Sequence, residues 1–211
     1  MKLFVWDFHG TLEKGFESAV LEFTNRSLEK HNYSERVDKN IVSELYGKKW
    51  TEFFKRVLPD KSDEVHLGLQ NYAILDQRKN PHIVAGCVEP NDYAEIILKE
   101  ISQKHDQILI SHTDQDDIEN FARSAKLDSY FPKGKCFGIN AHQFDKTKKD
   151  ILDEYLAGKN FEKIIFIGDS HHDMIPNERG IYYLYTHPGK QFRESMSDYK
   201  INDLREILRE I

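Results

Sequence analysis

The 211-residue chain is poor in cysteine, in long hydrophobic runs and in positive charge. Its two cysteines, Cys87 and Cys136, form neither a metal knuckle nor a disulfide framework. They read as small core hydrophobes, and a reducing cytoplasm is the expected compartment. The longest apolar stretches run to five or six residues, too short to span a bilayer. The N-terminal run Leu3–Trp6 is interrupted by Asp7 and lacks the apolar core of a secretory signal, so no membrane partner is expected. Lys and Arg number 30 against 36 Asp and Glu, a net charge of -6. That balance argues against a nucleic-acid binder relying on a broad basic surface. No internal repeat or low-complexity segment occurs.

What is present is enough apolar material for a packed core, 39% hydrophobic and 12% aromatic. Residues 3–6, 107–111, 163–168 and 181–185 are short apolar runs bounded by turn or charged residues, and read as buried parallel strands. Residues 135–139 are a weaker fifth candidate, since they contain Gly138. Between them lie helical patterns. Residues 91–105 place Ala94, Ile97, Leu98 and Ile101 on one face, and 114–126 do the same with Ile118, Phe121, Ala122 and Ala125. Strands alternating with helices predict an α/β fold with a doubly wound parallel sheet.

Residues 15–85 break that alternation, reading as helices at 18–30, 38–45, 49–57 and 62–80 without a convincing strand. About 70 helical residues between two strands exceed a simple crossover, so they are expected to form a separate helical domain. The core domain is then 1–14 with 86–211, and the joins lie near Gly15 and at 81–90, where Pro81, Gly86 and Pro90 punctuate the chain.

Open α/β sheets bind ligands beyond the carboxyl ends of their strands. After the first strand comes Asp7-Phe8-His9-Gly10-Thr11-Leu12, with Asp7 and His9 on one face if the strand continues. After the second come Ser111 and His112, and after the fourth Gly168-Asp169-Ser170-His171-His172-Asp173. Carboxylates from two separated segments suit a hard cation with oxygen ligands.

These segments resemble the motifs of the haloacid-dehalogenase-like superfamily: the first at Asp7 to Leu12, the second at Ile108-Leu109-Ile110-Ser111, and the fourth at Gly168-Asp169-Ser170 with Asp173. The resemblance runs end to end, and the insertion lies where that superfamily carries a helical cap. It implies a Rossmann-like core, hydrolase activity and a small phosphorylated substrate. Asp7 would be the nucleophile, forming an aspartyl-phosphate. Mg²⁺, or Mn²⁺ or another divalent metal, would be held by Asp7, the His9 carbonyl, Asp169 and Asp173. Ser111 and His112, with nearby backbone N–H groups, would grip phosphate oxygens. A lysine near the helix at 151–156 would offset negative charge. Thr147-Lys148-Lys149-Asp150 resembles a capping box, which puts Lys146 just outside the helix. The superfamily's lysine commonly precedes the first helical turn, so the resemblance favours Lys146, with Lys148 second and Lys149 a further candidate.

The sequence departs from the family pattern at His9, where a second aspartate is usual. Three readings stay open. His9 carries the general acid–base role itself, it marks a different chemistry, or it marks a slow phospho-ligand-binding protein. A phosphotransferase is a further alternative. Dehalogenation would not need the carboxylates Asp169 and Asp173, and is disfavoured. Phosphonate cleavage needs a cap lysine, for which Lys48 or Lys49 could serve. Six histidines, His9, His112, His142, His171, His172 and His187, fall at or beyond strand ends. That distribution suggests an imidazole-rich site able to admit a softer metal. Gly47, Lys48 and Lys49 resemble the loop that helical caps present to an anionic substrate. Trp50, Phe53 and Phe54 are expected to pack the cap.

Overall fold

A computed structural model describes residues 1–45, 48, 50–139 and 146–211. Their contacts divide the chain into two compact units, Met1–Lys14 with Glu89–Ile211, and Gly15–Val88.

The first unit begins with β1 (Leu3–Trp6) and β2 (Glu13–Lys14), and resumes with β3 (Glu89–Pro90) and β4 (Asp106–Ser111). It continues through β5 (Cys136–Gly138), β6 (Ile164–Gly168), β7 (Gly180–Tyr185) and β8 (Tyr199–Ile201). Six of these strands form one sheet in the order β5-β4-β1-β6-β7-β8, with every pairing parallel. β2 and β3 pair antiparallel as a separate ribbon. From β1 the chain winds outward to β4 and β5, then returns across the sheet to β6 on the other side of β1. The order therefore reverses at β1, and the carboxyl ends of β1 and its two neighbours surround the switch point.

The strands form where the sequence is apolar because both faces of the sheet are covered. Leu3, Phe4, Val5 and Trp6 are all buried, as are Ile164 to Ile167. Leu3, Val5, Ile108, Ile110, Ile164 and Phe166 pack in one core cluster with Ile151, Leu152 and Tyr155. Burying each such side chain contributes roughly 1.5–3 kcal/mol. The helices bury the faces that their spacing predicts. In the first unit these are Ala94, Ile97, Leu98 and Ile101, then Ile118, Phe121 and Ala122.

The second unit is helical: α1 (Phe16–Lys30), α2 (Lys39–Leu45), α3 (Trp50–Val57), α4 (Asp63–Lys79) and α5 (Pro81–Cys87). Ser27 Oγ donates to the Leu69 carbonyl at 2.8 Å and Arg26 Nε meets Asp76 Oδ2 at 2.6 Å, tying α1 to α4. Phe53 and Phe54 are buried, and Trp50 Nε1 donates to Thr24 Oγ1 at 2.6 Å. α5 stands where a linker is expected. Pro81 does not break the chain there; it occupies the first turn of a helix, where its missing N–H costs nothing. The first unit's remaining helices are α6 (Ala94–Lys104), α7 (Gln115–Ser124) and α8 (Lys148–Leu156).

Candidate active site

Asp7 follows β1 directly, and its N–H donates to the Ile167 carbonyl at 2.9 Å, which holds it beside β6. The chain then turns. The Phe8 carbonyl accepts from the N–H groups of Thr11, Leu12 and Glu13, and Gly10 adopts φ 76°. A Cβ on Gly10 would lie 2.4 Å from Asp169 Oδ2, so only glycine lets that carboxylate approach. Gly168 plays the matching part at the end of β6: a Cβ there would meet the Asp173 Cβ at 2.2 Å.

Asp173 is fixed by its own turn. Its Oδ2 accepts from Ser170 N at 2.9 Å and from Ser170 Oγ at 2.7 Å. Its Oδ1 takes Lys148 Nζ at 2.6 Å, and the same ammonium meets Asp7 Oδ1 at 2.8 Å. Lys148 is buried, as are Asp7 and Asp173.

Lys148 reaches this position because α8 starts with it. The Thr147 side chain caps the helix and Asp150 caps back, the box that the sequence suggests. The preference for Lys146 is corrected here. One residue before the cap, its side chain runs over the outside of α8, and its ammonium sits 2.8 Å from both Glu154 carboxylate oxygens, more than half exposed. Lys149 pairs with Asp153 on the exposed face.

Oxygens of Asp7, Asp169 and Asp173 lie within 4.8 Å of one another. Burial pushes the Asp7 carboxyl above its ordinary range, Asp173 adds to this, and Lys148 only partly offsets it. Burial likewise raises Asp169, with Asp7 next in importance. Asp173 falls below the ordinary range, because Lys148 and Ser170 outweigh its burial. Lys148 is raised in turn, since Asp173 and Asp7 outweigh the cost of burying it. Two of three carboxylates are thus short of positive charge, and all donors are oxygen. The set fits a hard divalent cation. Among the described residues no histidine belongs to this group.

Ser111 closes β4, is buried, and its Oγ lies 3.3 Å from Thr113 Oγ1. The β1–β4 register pairs Trp6 with Leu109, which brings Ser111 to the same rim as Asp7. His112 follows, its pKa lowered to about 4 by burial and then by Lys148. Its ring is 5.6 Å from that of His172, which lies 3.8 Å from that of His171. His187 is elsewhere, beside Tyr185. His9 Nδ1 is 3.2 Å from Glu13 Oε1. Lys48 is exposed and donates its N–H to the Leu45 carbonyl, while Gly47, Lys49 and His142 lie outside the described residues.

Two site residues escape the sequence reading. Arg193 Nη1 meets Asp169 Oδ2 at 2.7 Å, from the irregular connection between β7 and β8. Glu13 lies wholly buried beside His9. The four-residue spacing from His9 to Glu13 was a visible signal; for Arg193 no motif marks the position.

No curated protein matches the sequence. The fold matches solved structures over nearly the whole chain. One is a haloacid dehalogenase-like hydrolase from Streptococcus pneumoniae, 16% identical, TM-score 0.75, covering 99% of this chain and 97% of that one. Another is a Haemophilus somnus protein assigned by prediction as a phosphoglycolate phosphatase, 14% identical, TM-score 0.78, with the same coverage of both chains. A third, from Thermotoga maritima and provisionally assigned as a β-phosphoglucomutase, is 15% identical, TM-score 0.70, covering 100% of both chains. The family model for haloacid dehalogenase-like hydrolases matches residues 4–179, and the chain belongs to that family.

Proposed function

We propose that the protein is a divalent-metal-dependent phosphatase acting on a small phosphorylated metabolite, with Asp7 as nucleophile. The observation that carries this reading is the convergence of Asp7, Asp169 and Asp173 at the switch point of the sheet, with one buried lysine paired to both Asp7 and Asp173. One Asp7 oxygen would attack phosphorus while the bond to the leaving alcohol breaks, giving an aspartyl-phosphate. Water then attacks that phosphorus, releasing inorganic phosphate and restoring the carboxylate. Asp7, Asp169 and Asp173, with the His9 carbonyl, would hold Mg²⁺ or Mn²⁺, which when bound neutralises charge on the transferring group.

Lys148 holds Asp7 in place and supplies a fixed positive charge where the phosphoryl group arrives. Ser111 offers a hydroxyl, and the chain around His112 offers N–H groups, to the phosphate oxygens. His9 would give a proton to the leaving oxygen and later take one from water, a role worth about 10²–10⁴-fold in rate. The helical unit, with Gly47, Lys48 and Lys49, would act as the cap that selects the leaving group.

A phosphoester panel with Mg²⁺ and with Mn²⁺, run on wild type, Asp7→Asn and His9→Ala, tests this. Turnover abolished by Asp7→Asn and reduced by His9→Ala is expected. Hydrolysis undiminished in Asp7→Asn would rule out the nucleophile. No hydrolysis of any ester by wild type would favour the ligand-binding reading.

A further inference from the structure

Glu13 is a fully buried carboxylate that the chemistry above does not use. A buried carboxylate is costly unless hydrogen bonds and positive charge answer it. Glu13 Oε1 accepts the Gly10 N–H at 3.2 Å and lies 3.2 Å from His9 Nδ1. One oxygen therefore faces both a backbone donor and the ring. An ionised carboxylate can only accept, so beside a charged Glu13 it is Nδ1 that carries the proton. The ring has little freedom to turn. Phe8 and Phe121 meet it edge-on, at centroid distances of 5.2 and 5.0 Å. In a neutral imidazole with Nδ1 protonated, Nε2 bears the lone pair.

Building on the phosphatase reading, we propose that Glu13 is a positioning residue for His9. It commits Nδ1–H to a buried carboxylate, so that Nε2 is the nitrogen that exchanges a proton with the leaving oxygen and then with water. The chain thus replaces a single acid–base carboxylate with a histidine held by a carboxylate four residues on. Glu13 would not touch the reacting atoms; it would fix which imidazole nitrogen does.

The tautomer can be read without turnover, from imidazole ¹⁵N chemical shifts of the metal-free protein, with His9 assigned by comparison with His9→Ala. At a pH where the ring is neutral, the Nδ1–H form is expected in wild type. Glu13→Gln, which keeps an acceptor for Gly10, should shift the population toward Nε2–H. A wild-type His9 in the Nε2–H form overturns the proposal, whether or not the protein hydrolyses phosphoesters. Kinetics supply the second arm. Glu13→Gln should lower kcat by about tenfold or more, leave KM little changed, and cause no further loss in a His9→Ala background. Equal losses in both backgrounds would show that Glu13 acts through the Gly10 turn, and would also overturn it. Failure of wild type to turn over any ester would refute the phosphatase reading, with the tautomer still deciding the role of Glu13.

Discussion

Lys148 Nζ lies 2.8 Å from Asp7 Oδ1, with 5% and 10% of the two side chains exposed. The same ammonium reaches Asp173, so one cation answers two buried carboxylates in the metal-free protein. Removing one partner of such a pair leaves uncompensated buried charge, at a cost of about 3–5 kcal/mol. Lys148→Met should therefore lower the melting temperature and abolish turnover, and a divalent cation should restore part of the stability. Lys146→Met, which loses only an exposed pair worth about 0–1 kcal/mol, should change neither measurement appreciably. The reverse pattern in paired melts and assays would return the role to Lys146.

Gly10 lets the Asp169 carboxylate approach by being small. Gly10→Ala places a methyl group where the Asp169 carboxylate sits, at a backbone angle that costs about 1–2 kcal/mol for other residues. The carboxylate can turn away at little further cost, so the main effect should fall on metal binding. Calorimetric titration with Mg²⁺ or Mn²⁺ should show affinity weakened by about 10–100-fold, the usual penalty for disturbing what holds a ligand. Unchanged affinity would separate Asp169 from the metal site.

Arg193 occupies one oxygen of the same carboxylate. A divalent cation arriving at Asp169 meets a guanidinium already there. Arg193→Gln removes that competing charge, and the same titration should show tighter binding than in wild type. Equal or weaker binding would make Arg193 a support of the bound state rather than its competitor.

Acid sensitivity should come partly from the far end of the sheet. Asp106 sits below its ordinary range because Lys135 and Tyr155 outweigh its partial burial. Glu210 does so because Tyr183 and Lys2 outweigh its own. A depressed carboxylate stabilises the fold fully above its unfolded-state pKa, about 3.9 for Asp and about 4.3 for Glu. That stability is lost as pH falls through the lower folded values. Asp106→Asn with Glu210→Gln should flatten the acid limb of a melting-temperature profile below about pH 4.3. A parallel acid limb in the double variant would contradict this.

Much of the core is legible in the sequence because parallel strands buried on both faces must be apolar throughout. Leu3–Trp6 and the run after Lys163 meet that demand, and the charged or glycine residues ending them mark the rim. Helix faces are equally plain, since Ala94, Ile97, Leu98 and Ile101 repeat at helical spacing. The lysine was harder. Residues 146–149 straddle a helix start; the cap at Thr147 was legible, but the ammonium that turns inward is on the first helical residue, Lys148, and not on the residue before the cap. α5 was hidden because Pro81 signals a break and a helix start alike. β8 and Arg193 follow an irregular stretch with no periodicity to read. Partners such as Arg193 with Asp169 are set by the folded sheet and leave no local trace.

The central claim is that Asp7 carries the phosphoryl group. Acid-quenching the protein soon after mixing with a hydrolysable phosphoester and Mg²⁺, then mapping peptides by mass, tests it directly. A phosphate adduct on the peptide containing Asp7, acid-stable and alkali-labile, absent from Asp7→Asn, is the predicted result. Steady hydrolysis with no adduct on Asp7 at any quench time, or full activity in Asp7→Asn, would contradict the account.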